Sequence, residues 1–160
     1  MLMFLPKAVF VGVVAAAAGL PAFSTAPKTA PARGDAALLY GAAAACHGTF
    51  DRFVIRARFA TPGYNVRYVR RIVADPSGRP IPLLGAKRIH VAFNLAGGHD
   101  IHGTNLVASS LTPLCPNLVQ VKEAGDFEGT VSFGLGLRRT AGFRVFRLTN
   151  PTRVVIDVAH

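Results

Sequence analysis

One run of four residues, His99 to His102, combines two imidazoles and a carboxylate. These groups bind zinc, and bound zinc can activate water for hydrolysis. A zinc site requires at least three fixed protein ligands, however, and no known zinc spacing surrounds this run. We therefore favour a solvated polar loop and keep a small metal-dependent hydrolase that uses the His99 loop as an alternative. No metal and no cofactor are predicted.

A second candidate is the acidic pair Asp126 and Glu128, which is separated by a single residue, Phe127. On an extended backbone both carboxylates would project to one side, where they could bind a cation or share a proton. The favoured interpretation is structural. The two carboxylates would begin a strand and pair with nearby arginines, while Phe127 between them faces the core.

Candidates for nucleophilic catalysis are weak. Ser109 and Ser110 lie outside any GxSxG motif, and Cys46 is adjacent to His47, so that on a strand the two side chains would point to opposite faces. We predict no catalytic residue and no enzymatic activity.

The formal net charge of +10 is the strongest remaining feature. Arginines alternate along one predicted strand, and more follow along the next. If these two strands pair, their outward arginines form one basic patch that could attract phosphates or uronates. Solubility alone is the competing explanation. The predicted patch consists of Arg52, Arg56, Arg58, Arg67 and Arg71.

The elements that would position these residues are strands. From Phe50 to Phe59 apolar and polar residues alternate with period two, and the same pattern returns after a turn at residues 61–63, which predicts a β-hairpin. Further strands are predicted at residues 81–84, 90–95, 118–122, 130–137, 143–148 and 153–159. With frequent turn residues and no helical periodicity, this pattern predicts an all-β fold, a sandwich of two antiparallel sheets with about eight short strands.

Glycines interrupt one of these strands on a single face. Ser132, Gly134 and Gly136 lie opposite an apolar row, and no dinucleotide-binding motif surrounds them. A face without side chains permits close approach of another backbone or of a flat ligand, and packing is the favoured reason.

The N-terminus has the pattern of an export signal. One positive charge, Lys7, precedes an uncharged apolar run from Ala8 to Leu20. We predict a signal helix within residues 1–26, cleaved or retained as a membrane anchor through residues 2–22. Residues 27–45, rich in Ala and Pro, are predicted to be a flexible linker, and residues 46–160 the folded domain.

Export affects two further expectations. Two cysteines, Cys46 and Cys115, would enter an oxidising compartment, which favours a disulfide between them. For an exported protein, the expected partners of a basic surface are anionic polymers or proteins of the envelope, and nucleic acid is not expected. The preference for Arg over Lys, with abundant Ala, Gly and Val, is typical of a GC-rich bacterial genome.

Five blocks of sequence occur together in one order: FDRFV (50–54), PGYNVRYV (62–69), AGDFEG (124–129), FGLG (133–136) and PTRVVIDVAH (151–160). In this set the chain resembles the bacterial AMIN-like domain proteins, which are related to the AMIN domain of cell-wall amidases. The motif positions that carry the resemblance are Asp51, Tyr64, Asp126, Phe127, Glu128, Gly129, Gly134, Gly136, Arg153 and Asp157. The resemblance implies a two-sheet sandwich, export and a targeting role toward peptidoglycan or other envelope polymers, and it brings no catalytic residues.

The sequence therefore predicts an exported, non-catalytic binding module of the bacterial cell envelope that contacts peptidoglycan or another anionic wall polymer through its basic strand face. Besides the hydrolase, a membrane-anchored protein-interaction domain remains an alternative.

Overall fold

The protein is described by a computed structural model that covers residues 19–160. Most of the predicted signal segment, with its helix, lies outside these residues. The described chain has thirteen strands: β1 (Lys28–Ala30), β2 (Ala37–Cys46), β3 (Phe50–Arg58), β4 (Gly63–Val69), β5 (Ile72–Val73), β6 (Pro80–Ile81), β7 (Lys87–Asn94), β8 (Ala96–Gly97), β9 (Ser110–Leu111), β10 (Leu118–Phe127), β11 (Thr130–Leu137), β12 (Phe143–Leu148) and β13 (Arg153–Ala159). It contains no helix, and hence none long and apolar enough to cross a membrane.

Two large sheets form the sandwich in the described residues, and β5 and β6 pair with each other as a separate two-stranded sheet. One large sheet has six strands in the order β1-β4-β7-β11-β10-β9, and the other has five in the order β12-β13-β3-β2-β8. Strand pairs within them are antiparallel except for β2 and β8, which pair in parallel. The expected all-β sandwich is confirmed, with one parallel pair added.

The core lies between the two sheets. Phe53 of the five-stranded sheet packs on Phe133 of the six-stranded sheet at 5.5 Å between ring centroids, and Phe133 also contacts Phe93 at 6.1 Å. All three rings are fully buried. The inward rows predicted from the period-two pattern therefore meet as the two faces of one core.

The predicted hairpin of the first two strong strands is wrong. β3 lies between β13 and β2, whereas β4 lies between β1 and β7 in the other sheet. The turn at residues 61–63 crosses from one sheet to the other. The alternating pattern specifies that each strand buries one face, but both sheets bury a face in the same core, so the pattern does not select the partner.

The predicted flexible linker is also corrected, because residues 27–45 contain β1 and most of β2. β2 pairs along its length with β3, and its residues Ala37 and Leu39 are buried in the core. Small alanines can lie in a flat strand beside a neighbour, and tertiary pairing outweighs their weak intrinsic strand preference.

The glycine face of β11 is covered by the chain itself. A cover segment, residues 72–84, contains β5 and β6 and lies on the outer surface of the six-stranded sheet. A Cβ atom at Gly134 would lie 2.6 Å from Ile72 Cγ1, and one at Gly136 would overlap the carbonyl oxygen of Leu84. Packing is thus the reason for these glycines, as expected.

Candidate functional site

A wide groove lies where β4 ends and β7 begins. These strands are antiparallel neighbours, with Tyr68 opposite Ile89 and Val69 opposite Arg88. The end of one strand therefore lies beside the start of the other, which brings Arg70, just after β4, near Lys87 and Arg88.

The basic groove has a volume of about 600 Å³ and opens widely to solvent. Its lining contains three cationic side chains, two threonines and no carboxylate. The lining residues are Thr25, Tyr68, Val69, Arg70, Ala86, Lys87, Arg88 and Thr140.

Tyr68 is held rigidly in the wall of the groove. Its hydroxyl donates to the carbonyl of Ala141 at 2.7 Å and accepts from the amide of Ala141 at 3.0 Å. Burial raises the pKa of Tyr68, so the phenol stays neutral. These bonds also fix the connection between β11 and β12, which carries Thr140.

Lys28 fixes the N-terminal side of the groove. Its ammonium donates to the carbonyl and hydroxyl oxygens of Ser24, both at 2.8 Å, and to the carbonyl of Ala26 at 2.5 Å. It also lies 3.9 Å from the ring centroid of Phe143. Burial lowers the pKa of Lys28. Thr25, between two of the anchored residues, is thereby held at the groove.

The cations of the groove differ in how far they are fixed. Arg88 donates to the carbonyl of Leu83 at 3.2 Å, and within residues 19–160 neither Arg70 nor Lys87 forms an ion pair. Guanidinium and ammonium groups with no carboxylate between them bind phosphate or carboxylate ligands. The groove can therefore accept an anion.

The predicted patch of five arginines does not form as one surface. Arg52, Arg56 and Arg58 project from the outer face of the five-stranded sheet. Arg67 projects from β4, in the opposite sheet, and Arg71 follows that strand. The patch required β3 and β4 to pair, and the crossing between the sheets separates the two groups.

Arg52 is already neutralised by a motif residue, Asp157. Arg52 donates to both carboxylate oxygens, at 2.6 and 3.0 Å, and Arg144 donates to one at 2.9 Å. The carboxylate is fully buried, and its hydrogen bond raises the pKa of Arg52. Asp157 thus has a structural role, to hold β12, β13 and β3 together across the sheet.

The motif around Asp126 is a hairpin turn rather than one strand face. Glu128 and Gly129 have φ values of +49° and +75°, as in the two-residue turn that joins twisted antiparallel strands. The expectation that Asp126 and Glu128 share a strand face is wrong, because the strand ends at Phe127. Phe127 is 46% exposed and does not face the core.

The His99–His102 run and the acidic pair Asp126 and Glu128 were the two candidates for a metal site. Of these residues, the structure brings His99 and Asp126 into contact. His99 Nδ1 lies 2.5 Å from Asp126 Oδ2, in an open cavity of about 370 Å³ that Glu123 also lines. The Asp126 hydrogen bond raises the pKa of His99, and burial raises that of Glu123. In the described part of the chain, only Cys46, Asp51 and Cys115 group closely enough for a metal, and both sulfurs form a disulfide.

The predicted disulfide, Cys46 to Cys115, is present. Beside it, the motif residue Asp51 is fully buried and accepts from the amides of Asn117 and Leu118 at 2.7 and 2.8 Å. The disulfide and this carboxylate therefore attach the start of β10 to the β2-β3 hairpin, which belongs to the other sheet.

Two further motif positions stabilise strands. The ring of Tyr64 lies 5.1 Å from the guanidinium of Arg147, which bridges the sheets by donating to the carbonyls of Pro31 and Pro62. Arg153 begins β13 and donates to the carbonyl of Pro151 at 3.1 Å.

The fold and groove together define a two-sheet β-sandwich domain with an anion-accepting groove at one end. The family model for the AMIN-like domain matches residues 37–160, and the chain belongs to this family. At the family level, AMIN-like domains are generally non-catalytic binding modules associated with the cell wall. Searches of curated proteins and of solved structures returned no significant match.

Lys87 and Arg88 were not among the predicted site residues, although the sequence carried a usable signal. A basic pair ends one predicted strand, Arg70 and Arg71, and another pair precedes the strand at residues 90–95. Antiparallel pairing of those two strands would have placed the basic pairs together.

Proposed function

We propose that this protein is an exported, non-catalytic binding module of the bacterial envelope, and that it holds an anionic wall polymer in the basic groove. The observation that carries the proposal is the grouping of Arg70, Lys87 and Arg88 around one open cavity whose lining contains no acidic side chain. Membership of the AMIN-like family supports a role at the cell wall.

The chemistry of the groove favours an anion over a neutral ligand. Two guanidinium groups can donate in pairs to a carboxylate or phosphate, and Lys87 adds a compact charge. Thr140 supplies a hydroxyl donor in the lining, and Thr25 supplies a second one in the form that retains the N-terminal segment. Peptidoglycan carboxylates and the phosphates of wall polymers are ligands of this kind.

Of the five arginines predicted from the sequence, Arg71 is the one adjacent to a groove residue, Arg70. The other four remain candidates for weaker, long-range attraction, because exposed charges act through the net field of the molecule. Arg52 is the poorest of them, since its ion pair with Asp157 offsets its charge.

Sedimentation with purified cell walls tests the proposal. An Arg70→Ala, Lys87→Ala, Arg88→Ala variant removes three charges from the groove and is expected to reduce the bound fraction at least tenfold. The matched control, Arg33→Ala, Arg56→Ala, Arg58→Ala, removes three exposed charges elsewhere and should bind within about twofold of the wild type. Thermal unfolding verifies that both variants remain folded.

Equal losses in the two variants would mean that binding follows net charge and not the groove, and would overturn the proposal. So would wild-type protein that stays in the supernatant at physiological salt.

A further inference from the structure

The edge of the five-stranded sheet at β2 is open in the described structure. β8 pairs only with Ala37 and Leu38, so residues 41–46 have β3 on one side and no strand on the other among residues 19–160. We call residues 41–46 the β2 edge.

The hydrogen-bonding pattern identifies the backbone groups that point outward. The amide of His47 donates to the carbonyl of Phe50 at 2.9 Å, which makes these residues a hydrogen-bonded pair. Such pairs alternate along antiparallel strands, so the backbone groups of Ala42, Ala44 and Cys46 face away from β3. Three donors and three acceptors in a row are thus available to another strand.

Within the β2 edge no charged residue, proline or bulge blocks pairing, and the bulge of β2 lies just before it, between Leu39 and Gly41. Proteins protect exposed edges with charged residues, proline or bulges. Residues 41–45 are one glycine and four alanines, and the disulfide at Cys46 fixes the end of the strand. By contrast, the outer edge of β12 carries Arg144 and Arg147 and is paired at Phe143 with Ser24.

Two arginines of β3 lean across β2 on the outer face. The Cδ of Arg56 lies 3.6 Å from the position of a Cβ at Gly41, and the guanidinium of Arg58 lies 4.2 Å from the ring centroid of Tyr40. Neither arginine forms an ion pair with any described residue. Their charges therefore lie at the start of the β2 edge, beside Tyr40 and Gly41.

We propose that the β2 edge binds an extended acidic segment of a partner protein. The segment adds a strand to the five-stranded sheet through Ala42, Ala44 and Cys46, and the carboxylates at its Gly41 end face Arg56 and Arg58. A second copy of this chain does not fit this charge pattern, because two-fold pairing would place like charges of two +10 molecules side by side.

Fluorescence anisotropy with labelled peptides tests this surface on the oxidised protein at physiological salt. The probe is an acetylated ten-residue peptide that alternates glutamate and threonine, and the comparison peptide replaces glutamate with lysine. Only the acidic peptide is expected to bind. Because alternate amides of a strand point to opposite edges, N-methylation of one alternating set should abolish binding and N-methylation of the other should be tolerated.

Arg56→Ala with Arg58→Ala is expected to weaken the acidic peptide roughly 3- to 10-fold. The groove variant, Arg70→Ala, Lys87→Ala, Arg88→Ala, should bind the peptide within about twofold of the wild type. Three results would overturn the proposal. The two N-methylated sets could have equal effects, the groove variant alone could lose binding, or the chain could associate with itself through this edge. None of these outcomes depends on wall binding, so the two proposals fail separately.

Discussion

The acidic motif residues have structural roles that the sequence alone left open. Asp157 neutralises two arginines, Asp51 accepts two backbone amides, and Asp126 accepts the amide of Gly98 and contacts His99. Each lies at a junction between elements. Asp51 and Asp157 are fully buried, and such a carboxylate requires partners, because burial without them costs several kcal/mol.

Asp157→Asn is expected to lower the free energy of unfolding by about 2 to 3 kcal/mol, because it leaves two partly buried guanidinium groups without their counter-ion. Arg52 and Arg144 keep 25% and 13% of their side chains exposed, which limits the cost. Urea unfolding measures the change. Asp35→Asn, at an exposed carboxylate, serves as control and should stay within about 0.5 kcal/mol; equal effects would contradict the buried network.

The pKa of His99 is raised by Asp126, so the imidazolium is the paired form. The stabilisation from this pair is therefore fully present below the ordinary histidine pKa of about 6.5 and is lost as the pH rises through the higher folded value. NMR titration of the His99 ring should give a raised pKa in the wild type and a value near the ordinary one in Asp126→Asn. Identical titration curves would show that the contact does not exist in solution.

Among the elements, strands were predictable and their partners were not. The strands at residues 130–137, 143–148 and 153–159 have the predicted bounds, because alternation reflects burial of one face. Pairing depends on which inward rows fit together across the core, which a local pattern does not contain. This is why the hairpin of β3 and β4 and the linker at residues 27–45 were wrong.

The cover segment packs so closely on β11 that position 136 has no room for a side chain. Gly136→Ala is expected to destabilise the protein by about 1 to 3 kcal/mol, because the new methyl overlaps the Leu84 carbonyl. Gly97→Ala, at a strand glycine with no atom within 4 Å of the added Cβ, is the control and should stay within about 0.5 kcal/mol. Hydrogen exchange should also become faster at Ile72 in the first variant, and unchanged exchange there would contradict the packing.

At the scale of the whole molecule, one end of the sandwich holds the groove, and the disulfide ties the sheets. The composition predicted a basic domain, and the N-terminal pattern together with the two cysteines predicted one disulfide, which is present. Only the basic pairs of the groove left a signal in the sequence; the complete groove was not predictable, since it joins Thr25, Tyr68, Arg70, Lys87 and Thr140 from four separate parts of the chain. The pairing of β4 with β7 brings Tyr68, Arg70 and Lys87 together. The hydrogen bonds of Lys28 and Tyr68 add the segments that carry Thr25 and Thr140.

Reduction of the disulfide is expected to lower the free energy of unfolding by about 4 kcal/mol, because the bridge closes a loop with a sequence separation of 69 residues. Urea unfolding with and without a dithiol reductant measures this. A Cys46→Ser, Cys115→Ser variant should match the reduced protein and be insensitive to reductant. A change below 1 kcal/mol would contradict a stabilising role for the bridge.

The central claim, that the basic groove is the contact surface, is tested most directly by mapping bound wall fragments. Titration of isotopically labelled protein with soluble wall fragments should shift backbone amide signals of Thr25, Tyr68, Arg70, Lys87 and Thr140, which line the groove. Signals of Arg56 and Arg58, on the other sheet, should not move. Shifts confined to the outer face of the five-stranded sheet, with the groove signals unchanged, would contradict the account.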